Sequence, residues 1–131
     1  MNALVVDDSR AIRTIVGRLV KSLGFEVVEA GDGQEALRAL AGCSDPRLAL
    51  VDWNMPTMNG LEFVQAVRAD GRWADVKIVM ITTESELSQV QKALDAGANE
   101  YVMKPFTVDI LKDKLMILGV APEQEALHAS V

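Results

Sequence analysis

Hydrophobic and polar positions follow two patterns that alternate along this chain. Short apolar runs of the kind that form strands recur five times, at 3–6, 26–30, 48–51, 78–81 and 101–103. Three of these runs are solidly apolar, as expected for strands covered on both faces of a sheet. The run that begins at Glu26 is interrupted by acids, so it predicts an edge strand.

The segments between these runs carry apolar residues at helical spacing. In the first segment, Ser9 is placed to cap a helix and Gly24 to end it. Its apolar stripe consists of Ile12, Ile15, Val16, Leu19, Val20 and Leu23. Four more helices are predicted: one over about 34–41, one from Gly60 through Val67, one through Leu87, Val90 and Leu94 to Gly97, and one from an N-cap at Thr107 to about Leu118. Strict alternation of strands and helices indicates a parallel sheet with helices on both faces.

Length, composition and charge narrow the class of protein. The chain has 131 residues, half of them hydrophobic, which predicts one domain over 1–118 and a short tail over 119–131. Cys43 is the only cysteine, so no intrachain disulfide can form. The net charge of -6 and the lack of a basic patch argue against nucleic-acid binding. With no signal-like N-terminus and no apolar run near the roughly 18 residues of a membrane span, we expect a cytoplasmic protein without membrane insertion.

Polar residues with reactive side chains follow four of the five predicted strands. They are Asp7 and Asp8 after the first, Asp52 at the end of the third, Thr82 and Thr83 after the fourth, and Lys104 after the fifth. The carboxyl ends of parallel strands meet at one edge of the sheet, which is where open α/β sheets bind ligands. We therefore expect three carboxylates, a hydroxyl and an ammonium group to converge there.

Such an acidic cluster calls for a cation. Two carboxylates about 4 Å apart repel each other by roughly 4 kcal/mol at an effective dielectric constant of about 20. Hard oxygen ligands suit Mg²⁺, with Mn²⁺ as an alternative. A carboxylate beside a metal is a competent nucleophile for phosphoryl transfer, and Lys104 and Thr82 would stabilise the transferred group. Asp52 is therefore the predicted acceptor, and the absence of a phosphate-binding glycine loop means that the donor must arrive bound to another molecule.

Four motifs together resemble the receiver domains of two-component response regulators. They are Val5-Val6-Asp7-Asp8-Ser9, Asp52-Trp53-Asn54-Met55-Pro56 with Gly60, Ile81-Thr82, and Lys104-Pro105-Phe106. The resemblance covers residues 2 to about 118, and within the family it is greatest to the single-domain chemotaxis-type (CheY-like) members. It implies a flavodoxin-like, doubly wound sheet of five parallel strands in the order 2-1-3-4-5 with five helices.

The resemblance also implies roles for individual residues. Asp52 would accept the phosphoryl group from a histidine kinase, and Lys104 would pair with that group. Mg²⁺ would be held by Asp8, Asp52 and the backbone carbonyl of Asn54, with Asp7 acting through water. The peptide bond between Lys104 and Pro105 would be cis.

Signalling would follow from a two-state switch. In the family, a hydroxyl at the position of Thr82 moves toward the phosphoryl group and an aromatic ring at the position of Tyr101 fills the vacated space. The fourth helix, fifth strand and fifth helix would bind a downstream protein, and the chain would be a monomer. It would catalyse only its own phosphorylation and dephosphorylation. Thr83 departs from the commoner alanine or glycine, and its branched side chain would narrow access to the site.

Other functions stay open at this point. A stand-alone receiver can act as a phosphorelay intermediate or a phosphate sink instead of a chemotaxis regulator. A degenerate receiver binds partners without phosphorylation, but the complete set of acids, threonine and lysine argues against it. A small-molecule phosphotransferase of the haloacid dehalogenase type carries an Asp-x-Asp pair, whereas Asp7 and Asp8 are adjacent and Asn54 stands two positions after Asp52.

Overall fold

A computed structural model describes residues 1–120 as five strands and five helices. The strands are β1 (Asn2–Val6), β2 (Glu26–Ala30), β3 (Pro46–Asp52), β4 (Lys77–Thr82) and β5 (Glu100–Met103). The helices are α1 (Arg10–Ser22), α2 (Gly33–Ala41), α3 (Gly60–Arg68), α4 (Val90–Ala96) and α5 (Val108–Leu118). Short 3-10 segments lie at Gly71–Trp73 and Glu84–Gln89. All strand pairs are parallel and the order is β2-β1-β3-β4-β5, so the predicted fold is confirmed.

The sheet separates two apolar cores. One face packs against α2, α3 and α4 through residues that include Val6, Val51, Met80, Leu40, Phe63 and Ala93. The other face packs against α1 and α5 through residues that include Val5, Leu50, Ile81, Val16, Val20, Leu111 and Leu115. Successive residues of a central strand therefore enter opposite cores, which is why these strands are apolar at every position.

Local sequence signals for the edge strand and for the helix ends agree with the structure. Glu26 and Glu29 of β2 are exposed, and among the described strands β2 pairs only with β1, so the predicted edge strand is confirmed. The Ser9 side chain accepts a hydrogen bond from the Ile12 N–H at 3.3 Å. Thr107 caps α5 in the same way, and both predicted N-caps are confirmed. Gly97, with φ of 120°, ends α4 as predicted.

Two predictions about helices were wrong in detail. Ile15 is 55% exposed, because α1 contacts the sheet through Val16 and Val20 and the predicted stripe is wider than that contact. With Leu19 and Phe106, Ile15 instead lines an apolar groove of about 240 Å³ beside the start of α5.

The fourth helix also begins later than predicted. Leu87 lies in a 3-10 segment, where the Glu86 N–H donates to the Thr83 carbonyl at 3.0 Å, and α4 begins at Val90. A capping box between Thr83 and Glu86 stabilises the start of the 3-10 segment that connects β4 to α4.

The last described helix, α5, ends at Leu118, and Gly119 after it adopts a left-handed conformation. The domain bounds of 1–118 stay a prediction. The proposed tail over 119–131 stays a prediction, since residues 121–131 lie outside the described part of the chain. Within residues 1–120, every helix is too short or too polar to cross a bilayer.

Candidate metal centre at the carboxyl edge of the sheet

Asp52 lies at the centre of the carboxyl edge. It is the last residue of β3, held between β1 and β4, and only 6% of it is exposed. The Lys104 Nζ donates a hydrogen bond to Asp52 Oδ1 at 2.9 Å. Burial raises the pKa of Asp52 despite this hydrogen bond, and the negative charge of Asp7 raises it further. Burial therefore opposes ionisation of Asp52, and a positive ligand would offset that effect.

Asp7 and Asp8 directly follow β1. Asp7 is 3% exposed, and its Oδ1 accepts a hydrogen bond from the Ser9 N–H at 2.8 Å. Its Oδ2 is buried without a hydrogen-bond partner, although the Lys104 ammonium lies 3.7 Å away. Burial raises the pKa of Asp7 against the opposing effects of Ser9 and Lys104. Arg13 holds this loop in place by donating to the Asp7 carbonyl at 2.6 Å.

The three carboxylates fit a divalent cation. Asp7, Asp8 and Asp52 each present an oxygen, and these atoms lie within 4.8 Å of one another. Asp8 is exposed, so the cluster is open to solvent on one side and leaves room for coordinated water. The unpartnered Oδ2 of Asp7 is the observation that favours a cation, because a buried carboxylate oxygen without a donor costs free energy.

Lys104 is brought to the cluster by the loop between β5 and α5. Its backbone N–H donates to the Thr82 carbonyl at 2.7 Å, and the Lys104–Pro105 peptide bond is cis. Burial lowers the pKa of the Lys104 ammonium, but the hydrogen bond and charge of Asp52, together with Asp7, outweigh it and the net pKa is raised. Lys104 therefore stays cationic and supplies one positive charge to three carboxylates.

Thr82 is fully buried at the end of β4, next to Asp52 in the sheet order. Its hydroxyl donates to the Thr83 carbonyl at 3.2 Å, which turns it toward its own chain instead of toward Asp52. Tyr101 is half-buried and lies opposite Met80 in the β4–β5 pair. It therefore shares a face of the sheet with Thr82, which lies two residues further along β4. The Lys114 Nζ lies 5.1 Å from the centre of the Tyr101 ring.

Sequence reasoning missed one acidic residue of this site. Glu86, in the segment after β4, is 8% exposed, and its carboxylate accepts hydrogen bonds from Thr83 and from the Asn54 side chain. The signal in the sequence was the spacing of Thr83 and Glu86, which is that of a capping box. That pattern predicts the start of a helix and carries no information about the contact with Asn54, 32 positions earlier.

Fold and site together define an α/β domain whose carboxyl edge groups three carboxylates with a lysine. The chain belongs to the response regulator receiver family: the family model, described as the response regulator receiver domain, matches residues 3–116. Receiver domains are phosphoacceptors in signalling, distinct from metabolic enzymes, and they bind Mg²⁺ at an acidic cluster of this kind.

Individual relatives agree with this assignment. The chain is 48% identical to the chemotaxis protein CheY1 of Helicobacter pylori over 121 residues, covering 91% of this chain and 98% of the relative. It is 47% identical to the chemotaxis protein CheY homolog of Campylobacter jejuni over 96% of this chain and 98% of that one. Among solved structures, the chemotaxis protein CheY4 of Vibrio cholerae superposes with a TM-score of 0.80 at 38% identity, covering 89% of this chain and 97% of that chain.

Proposed function

We propose that this protein is a chemotaxis-type response regulator whose Asp52 accepts a phosphoryl group from a histidine kinase in the cytoplasm. The observation that carries the proposal is the environment of Asp52, a buried carboxylate with Lys104 at 2.9 Å and two further carboxylates within metal-binding distance. Relatives in Helicobacter pylori and Campylobacter jejuni, both named as chemotaxis proteins, support the signalling context.

Each residue of the cluster has a proposed role in the transfer. A carboxylate oxygen of Asp52 attacks the phosphorus of the phosphohistidine, a P–O bond forms, the P–N bond breaks and the electron pair leaves with the imidazole. Asp8, Asp52 and the backbone carbonyl of Asn54 would hold Mg²⁺, with Asp7 acting through water, and the ion would supply charge neutralisation for the phosphoryl oxygens. Lys104 moves from its pair with the Asp52 carboxylate to one with the phosphoryl group.

Phosphorylation would change the surface through Thr82 and Tyr101. The Thr82 hydroxyl, now bonded to the Thr83 carbonyl, would donate instead to a phosphoryl oxygen, and the Tyr101 ring would move inward. The surface of α4, β5 and α5 would then bind the downstream protein. Exposed apolar side chains on this part of the molecule, Met103 and Ile110, suit such a contact.

The experiment that tests this function is phosphotransfer followed by complementation. The wild-type chain and Asp52→Asn are incubated with Mg²⁺ and an autophosphorylated chemotaxis kinase from Campylobacter jejuni, and both are expressed in a strain of that organism lacking its CheY homolog. We expect loss of label from the kinase and restored chemotactic spreading with wild type only. Transfer without restored spreading would favour a phosphate sink or relay, and equal transfer to Asp52→Asn would refute the assignment of the acceptor.

A further inference from the structure

The Glu86 carboxylate joins two loops of the candidate site. Its Oε1 accepts hydrogen bonds from the Thr83 N–H at 2.9 Å and from the Thr83 hydroxyl at 3.0 Å. Its Oε2 accepts a hydrogen bond from the Asn54 side-chain amide. One side chain thus ties the loop after β3, which carries Asn54, to the connection after β4, which carries Thr83.

Helix capping accounts for only half of this arrangement. A capping box needs the contacts of Oε1 with Thr83, whereas the contact of Oε2 with Asn54 contributes nothing to the start of a helix. Glu86 is 8% exposed, and among the described side chains no lysine or arginine makes a direct salt bridge with it, although its charge contributes to the raised pKa of Lys104. Burying a carboxylate without a direct salt bridge costs free energy, which favours a role for Glu86 beyond local stability.

The charge of Glu86 also reaches the acceptor. Burial is the main cause that raises the pKa of Asp52, and the negative charges of Asp7 and Glu86 add to it. Glu86 therefore lies close enough to interact electrostatically with any group bound to Asp52. Its charge attracts a cation in the carboxylate cluster and repels an anion attached to Asp52.

Thr83 connects this carboxylate to the switch. The Thr82 hydroxyl donates to the Thr83 carbonyl at 3.2 Å, and Thr83 is in turn held by two hydrogen bonds to Glu86. Turning the hydroxyl toward Asp52 breaks its hydrogen bond to the Thr83 carbonyl and so removes one of the contacts that hold Thr83. Thr83 is then held by Glu86, whose negative charge is repelled by an anion attached to Asp52.

We propose that Glu86 is a positioning residue that latches Asn54 and Thr83 in the unphosphorylated arrangement, and that the negative charge of the phosphoryl group releases the latch. The proposal rests on the proposed function of Asp52 and specifies how that site is regulated. It makes Glu86 a determinant of the balance between the two states of the switch, without contact between its side chain and the transferred group.

Opposite effects on cation and anion binding distinguish this role from a purely structural one. Glu86→Gln keeps the size of the side chain and its capacity for hydrogen bonds but removes the charge. At saturating Mg²⁺ we expect beryllofluoride, an anionic mimic of the phosphoryl group, to bind about five-fold more tightly than to wild type. Mg²⁺ alone should bind about two-fold more weakly. A general loosening of the site would weaken both.

The titrations use the fluorescence of Trp53, which is buried and adjacent to Asp52. Glu86→Ala is the second variant, since it removes the hydrogen bonds as well as the charge, and beryllofluoride should bind to it at least as tightly as to Glu86→Gln. Asp75→Asn is the matched control, because Asp75 is exposed and lies just before the first residue of β4. This is the end of the strands opposite to the candidate site. Circular dichroism verifies that each variant is folded.

The outcomes separate the latch from the function on which it rests. Tighter beryllofluoride binding to both Glu86 variants, with weaker Mg²⁺ binding to Glu86→Gln and an unchanged Asp75→Asn, supports the latch. Unchanged or weaker beryllofluoride binding to folded Glu86→Gln overturns it while leaving the function of Asp52 intact. Failure of folded wild-type protein to bind beryllofluoride with Mg²⁺ contradicts the proposed function itself.

Discussion

Asp7 illustrates what the acidic edge costs the folded chain. Its Oδ2 is buried without a hydrogen-bond donor and lies near the carboxylates of Asp8 and Asp52. Among the described residues, Lys104 is the cation that forms salt bridges with this cluster. Burial is the first cause of the raised pKa of Asp7, so the folded chain binds a proton at this position more readily than the unfolded chain does. In metal-free protein the ionised form of Asp7 is therefore destabilising at neutral pH.

Replacing Asp7 with asparagine should stabilise the metal-free protein. The asparagine Oδ1 keeps the hydrogen bond from Ser9, and the buried negative charge is lost. We expect the free energy of unfolding in EDTA at pH 7 to rise by about 1 kcal/mol, measured by urea denaturation. Asp113→Asn, at an exposed position of α5, is the control and should leave the value unchanged.

The same variant has a defined dependence on pH. Because the folded pKa of Asp7 lies above the unfolded one, its contribution to stability is complete below the ordinary value of 3.8 and is lost as pH rises through the folded pKa. The stability gap between Asp7→Asn and wild type should accordingly be smallest in acid and widen toward neutral pH. A gap that widens as pH falls would mean that the carboxylate is stabilising when ionised, contrary to its surroundings.

The elements, unlike individual contacts, could largely be predicted from the pattern of apolar residues. Strands such as β4 are recognisable because their residues enter both cores and must therefore all be apolar. Two helix starts are marked by Ser9 and Thr107, whose hydroxyls accept hydrogen bonds from nearby backbone N–H groups. The errors fall where periodicity carries no information about neighbours. Ile15 repeats at helical spacing, yet none of the described elements covers it, and Leu87 lies in a turn tightened by a capping box.

The start of α3 sets the position of the loop after Asp52. A Cβ added to Gly60 would lie 3.0 Å from the Asp52 carbonyl oxygen, 3.1 Å from Trp53 Cα and 2.7 Å from Met80 Cε. The methionine can move, but the backbone of β3 is fixed between two strands. Glycine is therefore required here so that α3 can pack close to the acceptor strand.

Gly60→Ala should destabilise the protein by about 1–3 kcal/mol, because it overpacks this contact. Gly71→Ala is the matched control, since a Cβ at Gly71 would meet no atom within 4 Å. Both values come from urea denaturation of the metal-free chains, and Gly71→Ala should change the free energy of unfolding by less than about 0.5 kcal/mol. Equal effects of the two substitutions would show that the contact with β3 is not the cause.

At the scale of the whole molecule, topology brings the site together. Asp7, Asp52 and Lys104 are separated by tens of residues, and they meet because β1, β3 and β5 are parallel strands of one sheet. This convergence could be predicted, since every carboxyl end lies at the same edge. The contact of Glu86 with Asn54 could not, because it depends on how two loops fold against each other after the strands have ended.

Mg²⁺ should stabilise the whole fold through this cluster. A ligand that binds only the folded chain raises the free energy of unfolding by about 2.7 kcal/mol at a hundred-fold excess over its Kd. We therefore expect a clear rise in the melting temperature with Mg²⁺ at constant ionic strength, reversed by EDTA. Asp8→Asn removes a proposed ligand from an exposed position and should reduce the rise. An equal rise in wild type and Asp8→Asn would place the ion elsewhere.

The central claim is that Asp52 accepts a phosphoryl group with the help of a divalent cation, and intact-protein mass spectrometry tests it most directly. Wild type and Asp52→Asn are incubated with acetyl phosphate, with Mg²⁺ or with EDTA, and their masses are measured immediately. We predict one added phosphoryl group in wild type with Mg²⁺ only. An adduct of the same size on Asp52→Asn, or one that forms equally in EDTA, would contradict the claim.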